Sequence, residues 1–297
     1  MGIHIGIDLG GTNVRVAIIN AQGEIEEILH ETTEAEKGYE HTKEKMIQMI
    51  ENIRGNKSID GIGIGAPGPL DPKEGIILSP PNLPGWDNIH ITDDLEAHFE
   101  TRVQLNNDAN AAALAEAKFG SGKGYESVFY ITVSTGIGGG LVIDGTVFDG
   151  AQGYTGEIGN MILDPHGYQQ SNLNRGSLES HSSGTAIGKI AEERYHITGG
   201  AEEVFRLATQ GDEQAVMVVN EAIDYLAMGL ANITHIVNPA IFVLGGGVMK
   251  SEDLILTPLK EKLKSYVYPG LVPAINITVA SLGGEGGVIG AALLAEQ

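Results

Sequence analysis

Three glycine-rich turns follow apolar segments of the sequence and could bind the phosphates of a nucleotide. Turns that present successive backbone N–H groups form concave anion sites, and glycines let phosphate oxygens approach closely. Asp8 stands just before the first turn, where its carboxylate could hold a Mg²⁺ ion through water. The same glycines could instead serve only as hairpin turns. The three turns are Gly10-Gly11-Thr12, Thr135-Gly136-Ile137-Gly138 and Gly245-Gly246-Gly247.

Two better-known phosphate-binding motifs do not fit. The nearest match to a P-loop, Gly122-Lys123, is followed by Gly124 and has Ala117 where the first glycine belongs. The Rossmann fingerprint needs its glycines to open a helix, whereas the residues after Gly11 alternate as a strand does.

Asp108 is the candidate general base. The segment Asn106-Asn107-Asp108 lies where a short strand, residues 103–105, meets an alanine-rich helix, residues 109–119. Ligands of α/β proteins bind at the carboxyl ends of strands, where Asp108 could take a proton from an attacking hydroxyl. Asn and Asp are also preferred helix N-caps, so capping is the alternative role. Both roles are compatible if one residue caps and the next faces the ligand.

Two further carboxylates, Glu157 and Glu179, occur in polar, glycine-rich segments. Carboxylates and Asn amides often bind sugar hydroxyls, although solvated loops would have the same composition.

The nine histidines show no metal-binding spacing, so we predict no zinc bound by protein side chains.

Strands separated by helices predict an α/β fold. Ile3–Ile7 and Val14–Ile18 alternate as the strands of a hairpin. The order of strand, glycine turn, strand and hairpin recurs at 128–145, with 134–140 as the turn, and predicts an internal duplication into two lobes that meet near residues 115–124. Other segments predict strands at 59–65, 241–244 and 275–280, and helices at 39–53, 184–195, 200–209, 212–237 and 286–296.

Composition narrows the function further. The 297 residues include 18 Lys and Arg but 39 Asp and Glu, so the net charge is −21, which disfavours nucleic acid and anionic membranes as partners. The absence of cysteine excludes disulfides and thiolate chemistry. No apolar run approaches a membrane span, and we expect a cytoplasmic protein. The 42 glycines cluster after apolar runs and indicate turns close to a ligand.

Taken together, five ordered motifs resemble the ROK family of repressors, open reading frames and sugar kinases, which belongs to the actin-like ATPase superfamily. The resemblance covers nearly the whole chain. It rests on Asp8–Thr12 (DLGGT), Gly65–Pro69 (GAPGP), Asn107–Ala111 (NDANA), Ser134–Gly140 (STGIGGG) and Leu244–Gly247 (LGGG).

The resemblance implies two RNase H-like lobes that flank a cleft for a hexose and ATP with Mg²⁺. The small N-terminal lobe would be 1–117, with the last helix, 286–297, packed back on it, and 118–285 would form the larger lobe. Asp108 would be the catalytic base. The sugar would be bound by Gly68, Asn82, Asn107, Asp108, Glu157, Asn160 and Glu179. The nucleotide would be bound by Asp8, Gly10, Gly11, Thr12, Thr135, Gly136 and Gly246.

The chain departs from the family pattern in a loop that binds structural zinc in many members. The histidine position falls on Asn160, and the three cysteine positions fall on Gln170, Asn172 and Ser177. All four ligands are absent together, so we predict no zinc and a loop held by hydrogen bonds or packing. Many members also have Lys where this chain has Asn13.

These observations predict an ATP-dependent kinase that phosphorylates the 6-hydroxyl of an aldohexose, with glucose favoured. One alternative is a kinase for N-acetylmannosamine or another hexose derivative, since the missing zinc ligands and Asn160 suggest a divergent sugar pocket. An alternative of another class is a non-catalytic sugar sensor. The first motif lies too near the start for a preceding DNA-binding helix-turn-helix. A homodimer is implied by the resemblance alone.

Overall fold

The computed structural model describes residues 3–170 and 173–297. Its strands, numbered in chain order, are β1 Ile3–Leu9, β2 Asn13–Ile19, β3 Ile25–Thr32, β4 Ile59–Ala66, β5 Leu70–Asp71, β6 Ile76–Ile77, β7 Val103–Asn107, β8 Ser127–Val133, β9 Ile137–Ile143, β10 Thr146–Val147, β11 Ile241–Gly245 and β12 Ile277–Val279. Its α-helices are α1 Tyr39–Arg54, α2 Ile91–Phe99, α3 Asp108–Lys118, α4 Leu178–Ser182, α5 Gly184–Tyr195, α6 Gly200–Thr209, α7 Glu213–Ile236, α8 Glu252–Leu263 and α9 Gly286–Leu294.

Two five-stranded sheets share one strand order. The first runs β3-β2-β1-β4-β7 and the second runs β10-β9-β8-β11-β12. In the first sheet, β1 pairs antiparallel with β2 and parallel with β4, which in turn pairs parallel with β7. In the second, β11 is parallel to both β8 and β12, and β10 is antiparallel to β9. The repeated order is the internal duplication that the sequence predicts.

The chain divides into two compact units. Unit 1 comprises the described residues up to Gly124, together with Gly140–Thr155 and Leu282–Gln297. Unit 2 comprises the described residues of Tyr125–Gly139 and Gly156–Ser281.

The core of unit 1 forms because apolar side chains alternate along its strands. Ile5, Ile7 and Leu9 of β1 are fully buried, in the period-two pattern of a strand. Helix α9 packs on β1, β4 and α3. Its approach is so close that a Cβ placed at Gly63 of β4 would lie 1.8 Å from the carbonyl oxygen of Ala291. Part of the glycine excess therefore permits helix packing, and the expectation that glycines mark ligand-binding turns is too broad.

Unit 2 is organised around the long helix α7, which contacts α4, α5, α6 and α8. The side chain of Asp212 caps its start by accepting a hydrogen bond from the Ala215 N–H at 2.9 Å. Among the described residues this helix alone has the length and apolar composition of a membrane span, and more than half of its most apolar window is buried inside the protein.

Two predicted boundaries are wrong. The turn predicted at 134–140 is shorter, because β9 already begins at Ile137 and contains Gly138, Gly139 and Gly140. The strand predicted at 275–280 is limited to Ile277–Val279, since a 3₁₀ turn ends at Ala274 just before it.

Candidate active site

The first glycine turn joins β1 to β2 at the end of the first sheet. Gly10 donates its N–H to the carbonyl of Asn13 at 2.9 Å. Thr33, which is fully buried, anchors the turn twice: its N–H donates to the Thr12 carbonyl at 2.8 Å and its hydroxyl to the Gly10 carbonyl at 2.6 Å. The fold therefore fixes the turn and leaves the Thr12 side chain exposed.

Asn82 lies directly against this turn. A Cβ placed at Gly11 would be 2.5 Å from the Asn82 carbonyl oxygen, so glycine is required for the approach. A predicted nucleotide-binding residue and a predicted sugar-binding residue are thus neighbours within unit 1.

Asp8 forms an ion pair that the sequence analysis missed. Cross-strand pairing sets Asp8 opposite Arg15, whose Nε donates to Asp8 Oδ2 at 2.9 Å while a second guanidinium nitrogen contacts the same oxygen. Arg15 also donates to the carbonyl of Gly284. The hairpin register was the available signal, since it brings residues 8 and 15 together.

Asn107 and Asp108 divide two tasks at the start of α3. Asn107 is the N-cap, and its side-chain oxygen accepts from the Ala109 N–H at 2.9 Å. Asp108 is the first helical residue and its side chain is exposed, although Oδ1 also accepts from Ala109 N–H at 2.7 Å. A Cβ at Gly68 would lie 3.6 Å from the Asn107 amide nitrogen, so a third predicted sugar-binding residue is close by.

The parallel strands of the first sheet bring these groups to one edge. Strand register sets Asp8 of β1 beside Gly65 of β4, and Gly65 beside Asn106 of β7. The carboxyl ends of parallel strands are the usual ligand-binding edge of an α/β sheet.

A buried amide network lies beneath Asp108 and was also missed. Asn106 accepts at Oδ1 from the Asn107 N–H at 2.7 Å and from Asn110 Nδ2 at 2.8 Å, and its own amide donates to Asp149 at 2.8 Å. The network fixes the junction of β7 and α3 from below. No local sequence pattern predicts this network, because Asp149 is 43 residues from Asn106.

In unit 2 the second glycine turn lies against Glu179. Glu179 Oε2 accepts from the Ile137 N–H at 2.7 Å, and a Cβ placed at Gly136 would lie 2.7 Å from the same oxygen. Partial desolvation, together with repulsion from the Glu179 carboxylate, raises the pKa of Glu157. Gly136, Glu157 and Glu179 are therefore brought together.

Asn160 belongs to the loop where many family members bind zinc. Its Oδ1 accepts from the Asn174 N–H at 2.7 Å, and its carbonyl accepts from the Asn174 side chain at 3.3 Å. The hydroxyls of Ser177 and Ser180 are hydrogen-bonded at 2.7 Å, and Ser180 also accepts from the Gln170 N–H at 3.2 Å. Hydrogen bonds hold the described part of this loop, as expected. Asn172 lies outside the described residues.

Thr135 lines a cavity of about 660 Å³ in unit 2. Gly246 lies beside it with a φ of +89°, and a Cβ there would be 2.3 Å from the Val133 carbonyl oxygen. The cavity is bounded by Ser134, Thr135, Gly184, Thr185, Ala201, Glu202, Phe205, Arg206, Thr209, Gly247, Val248, Lys250 and Ser251. Across the described residues no cluster of three or more His, Cys, Asp or Glu side chains could hold a metal ion.

Two sheets of identical strand order, with glycine turns in both units, define a mixed α/β protein of the actin-like ATPase class. The chain belongs to the ROK family, which it matches over residues 4–297. It is 33% identical over 307 residues to a glucokinase of Thermotoga maritima, a match that covers 99% of this chain and 97% of that protein.

Solved structures of relatives agree. A ROK hexokinase from Thermus thermophilus superposes with a TM-score of 0.87 at 35% identity, covering 99% of this chain and 98% of that one. A ROK family glucokinase from Streptomyces griseus, solved with glucose and AMPPNP, gives a TM-score of 0.82 at 29% identity with full coverage of both chains.

Proposed function

We propose that this protein is an ATP-dependent sugar kinase that transfers the γ-phosphoryl group of ATP to the 6-hydroxyl of glucose. The observation that carries the proposal is the exposed carboxylate of Asp108 at the ligand-binding edge of the first sheet. The glucose and AMPPNP held by the Streptomyces griseus relative, together with the Thermotoga maritima glucokinase, support the choice of both substrates.

Asp108 would accept the proton of the 6-hydroxyl while the oxygen of that hydroxyl attacks the γ-phosphorus. The bond from that phosphorus to the β–γ bridging oxygen would break, releasing ADP. Asn107 is the N-cap of α3, and the exposed Asp108 carboxylate beside it would serve the proton transfer. Phosphoryl transfer depends mainly on positioning and charge neutralisation, which backbone N–H groups of the glycine turns can provide.

The remaining residues would bind and orient the two substrates. We assign the sugar hydroxyls to Gly68, Asn82, Asn107, Glu157, Asn160 and Glu179. We assign the phosphates to Gly10, Gly11, Thr12, Thr135 and Gly136, and the adenosine to the cavity beside Gly246. The size of that cavity, about 660 Å³, supports the last assignment.

A Mg²⁺ ion bound with ATP would neutralise charge on the phosphates. Asp8 would contact this ion through a water molecule, since its carboxylate already pairs with Arg15 and directly precedes the first turn. We also propose that the protein needs no zinc, because Asn160, Gln170 and Ser177 supply no thiolate or imidazole ligand.

Four further expectations stay proposals of the same kind. The lobes would be 1–117 with 286–297, and 118–285. The protein would be a cytoplasmic homodimer that binds no nucleic acid, and its net charge of −21 supports the last point.

The test is ADP release with Mg-ATP and a panel of glucose, mannose, fructose, N-acetylglucosamine and N-acetylmannosamine. We expect glucose to give the highest kcat/KM. N-acetylmannosamine is the most informative alternative sugar, because Asn160 suggests a divergent sugar pocket. A higher kcat/KM for N-acetylmannosamine than for glucose would overturn the sugar assignment. No turnover with any sugar, while a sugar still raises the Tm, would favour a sensor instead.

The role of Asp108 is tested by Asp108→Asn. We expect kcat to fall at least about 100-fold, because a general base contributes that much or more. Asparagine can still accept from the Ala109 N–H, and the Tm of the variant shows whether its fold is kept. A variant that kept more than about a tenth of the activity would exclude Asp108 as the base.

A further inference from the structure

Thr33 is not among the residues assigned to a substrate, yet it holds the first glycine turn by two hydrogen bonds. It directly follows β3 and is fully buried. Its hydroxyl donates to the Gly10 carbonyl at 2.6 Å, and its N–H donates to the Thr12 carbonyl at 2.8 Å. One residue therefore fixes the carbonyl groups at the start and at the end of the turn.

The hydroxyl of Thr33 also sets the direction of the Gly11 N–H. In a planar trans peptide, the C=O and the N–H of the same unit point in opposite directions. The Gly10 carbonyl and the Gly11 N–H share such a unit, so a carbonyl held against Thr33 turns that N–H away from Thr33.

The turn presents two successive backbone donors. Gly11 is half-buried and Thr12 is exposed. Among the residues that the structure describes, none accepts a hydrogen bond from the N–H of Gly11 or of Thr12. Successive backbone N–H groups in a turn form an anion-binding concavity, so the direction of each donor matters for binding.

We propose that Thr33 is a positioning residue for ATP, because its hydroxyl keeps the Gly11 N–H directed at the nucleotide phosphates. The role rests on the proposed function, which assigns phosphates to this turn. Without the hydroxyl, the peptide between Gly10 and Gly11 would be free to rotate, and only a fraction of the molecules would hold the donor in the binding direction. The apparent affinity for the nucleotide falls in proportion to that fraction.

Thr42 offers a matched control, because it holds the same segment from its other side. It is also fully buried, and its hydroxyl donates to the Thr33 carbonyl at 3.0 Å. Thr42→Val therefore removes one buried hydroxyl bond and leaves both bonds from Thr33 to the turn in place.

The test compares Thr33→Val, Thr33→Ser and Thr42→Val with the wild-type chain. Valine has nearly the shape of threonine but no donor, whereas serine keeps the hydroxyl. Calorimetric titration gives the Kd of AMPPNP with Mg²⁺, of adenosine and of glucose, and the Tm reports the fold. Adenosine is the matched ligand, since it lacks the phosphates.

We expect Thr33→Val to bind AMPPNP about three- to tenfold more weakly, the loss that corresponds to one hydrogen bond, and to bind adenosine and glucose as wild type does. Thr33→Ser should restore AMPPNP binding. Thr42→Val should lower the Tm and leave AMPPNP binding unchanged.

Wild-type affinity for AMPPNP in a folded Thr33→Val variant would overturn this role and leave the proposed function intact. An equal loss for adenosine, or for AMPPNP in Thr42→Val, would overturn it as well, because the effect would then be a general loosening of unit 1. No AMPPNP binding by wild type would overturn the proposed function and this role together.

If valine at position 33 prevented folding, the wild-type chain would still decide. The amide resonance of Gly11 should shift on addition of AMPPNP with Mg²⁺ and stay in place with adenosine. A resonance that AMPPNP left unmoved would overturn the role of Thr33.

Discussion

Single residues at the site are fixed by contacts that leave little room for other side chains. Gly246 adopts a φ of +89°, and any Cβ there would lie 2.3 Å from the Val133 carbonyl oxygen. Asn107 takes the cap of α3, which leaves Asp108 exposed at the first helical position. The residue types of these motifs therefore follow from backbone geometry as well as from ligand chemistry.

Gly246→Ala should destabilise the protein strongly. Both the left-handed backbone and the clash with Val133 oppose a methyl group, and we expect a loss of about 2 kcal/mol or more in the free energy of unfolding, measured by urea denaturation. Gly270→Ala is the control, since nothing lies within 4 Å of its Cβ position, and it should change stability by less than about 0.5 kcal/mol. If both substitutions changed the free energy of unfolding equally, the backbone at Gly246 would be able to move and accommodate alanine.

Glu157→Gln should stabilise the protein without ligands at neutral pH. Partial desolvation and the Glu179 carboxylate raise the pKa of Glu157 above its usual value of 4.5, so ionisation of this group opposes folding. The stabilisation that the protonated Glu157 side chain contributes is full below pH 4.5 and is lost as the pH rises through the raised pKa. We therefore expect the variant to have a higher Tm than wild type at pH 7.

This difference should vanish near pH 4, where Glu157 is protonated in the wild-type protein. The exposed Glu126, changed to glutamine, is the control and should leave the Tm unchanged at both pH values. A Glu157→Gln difference that persisted at pH 4 would mean that charge is not its cause.

At the scale of elements, helix α9 determines how closely unit 1 packs. A Cβ at Gly290 would lie 1.7 Å from the carbonyl oxygen of Ala111 in α3. Gly290→Ala must push the two helices apart, and we expect it to cost more than about 2 kcal/mol in thermal or urea unfolding.

The control is Gly286→Ala at the start of the same helix. Its Cβ would meet Leu282 at an ordinary 3.7 Å, and alanine favours a helix over glycine by up to about 1 kcal/mol. The two substitutions should therefore have opposite signs. If both stabilised the protein, the contact between α3 and α9 would be looser than the structure indicates.

Elements with a strong hydrophobic period could be predicted from the sequence. The β1–β2 hairpin, α1, α3 and α7 match their predicted positions to within two residues at every end, because each buries one regular set of side chains. Strand β3 was missed because it is the outer strand of its sheet and keeps most side chains in contact with solvent. Helix α2 was not predicted either, because it lacks the side-chain cap that usually marks the start of a helix.

The site was predictable only where its residues form local motifs. The turns and the Asn107-Asp108 pair stand out in the sequence, whereas the partners that hold them do not. Thr33 anchors the first turn from 23 residues beyond Gly10, and Asp149 holds Asn106 across a separation of 43. Such contacts depend on the tertiary fold, which local sequence patterns do not record.

At the scale of the whole molecule, acidity is the dominant property. A net charge of −21 repels every anion that approaches, including the proposed substrate ATP. Glucose carries no charge and should approach without this barrier. The two substrates therefore respond differently to anything that screens charge.

We expect salt to lower the KM for ATP and to leave the KM for glucose unchanged. The Debye length shrinks from about 30 Å at 0.01 M to about 8 Å at 0.15 M ionic strength, so the repulsion between the protein and ATP is largely screened at the higher value. Initial rates at both ionic strengths, with free Mg²⁺ held constant and in excess, should show a KM for ATP that falls about two- to fivefold. A parallel fall in the KM for glucose would point to a general effect of salt on the enzyme. A rise in the KM for ATP would mean that attraction to nearby cations, such as Arg206 and Lys250 of the unit 2 cavity, outweighs the net charge of the chain.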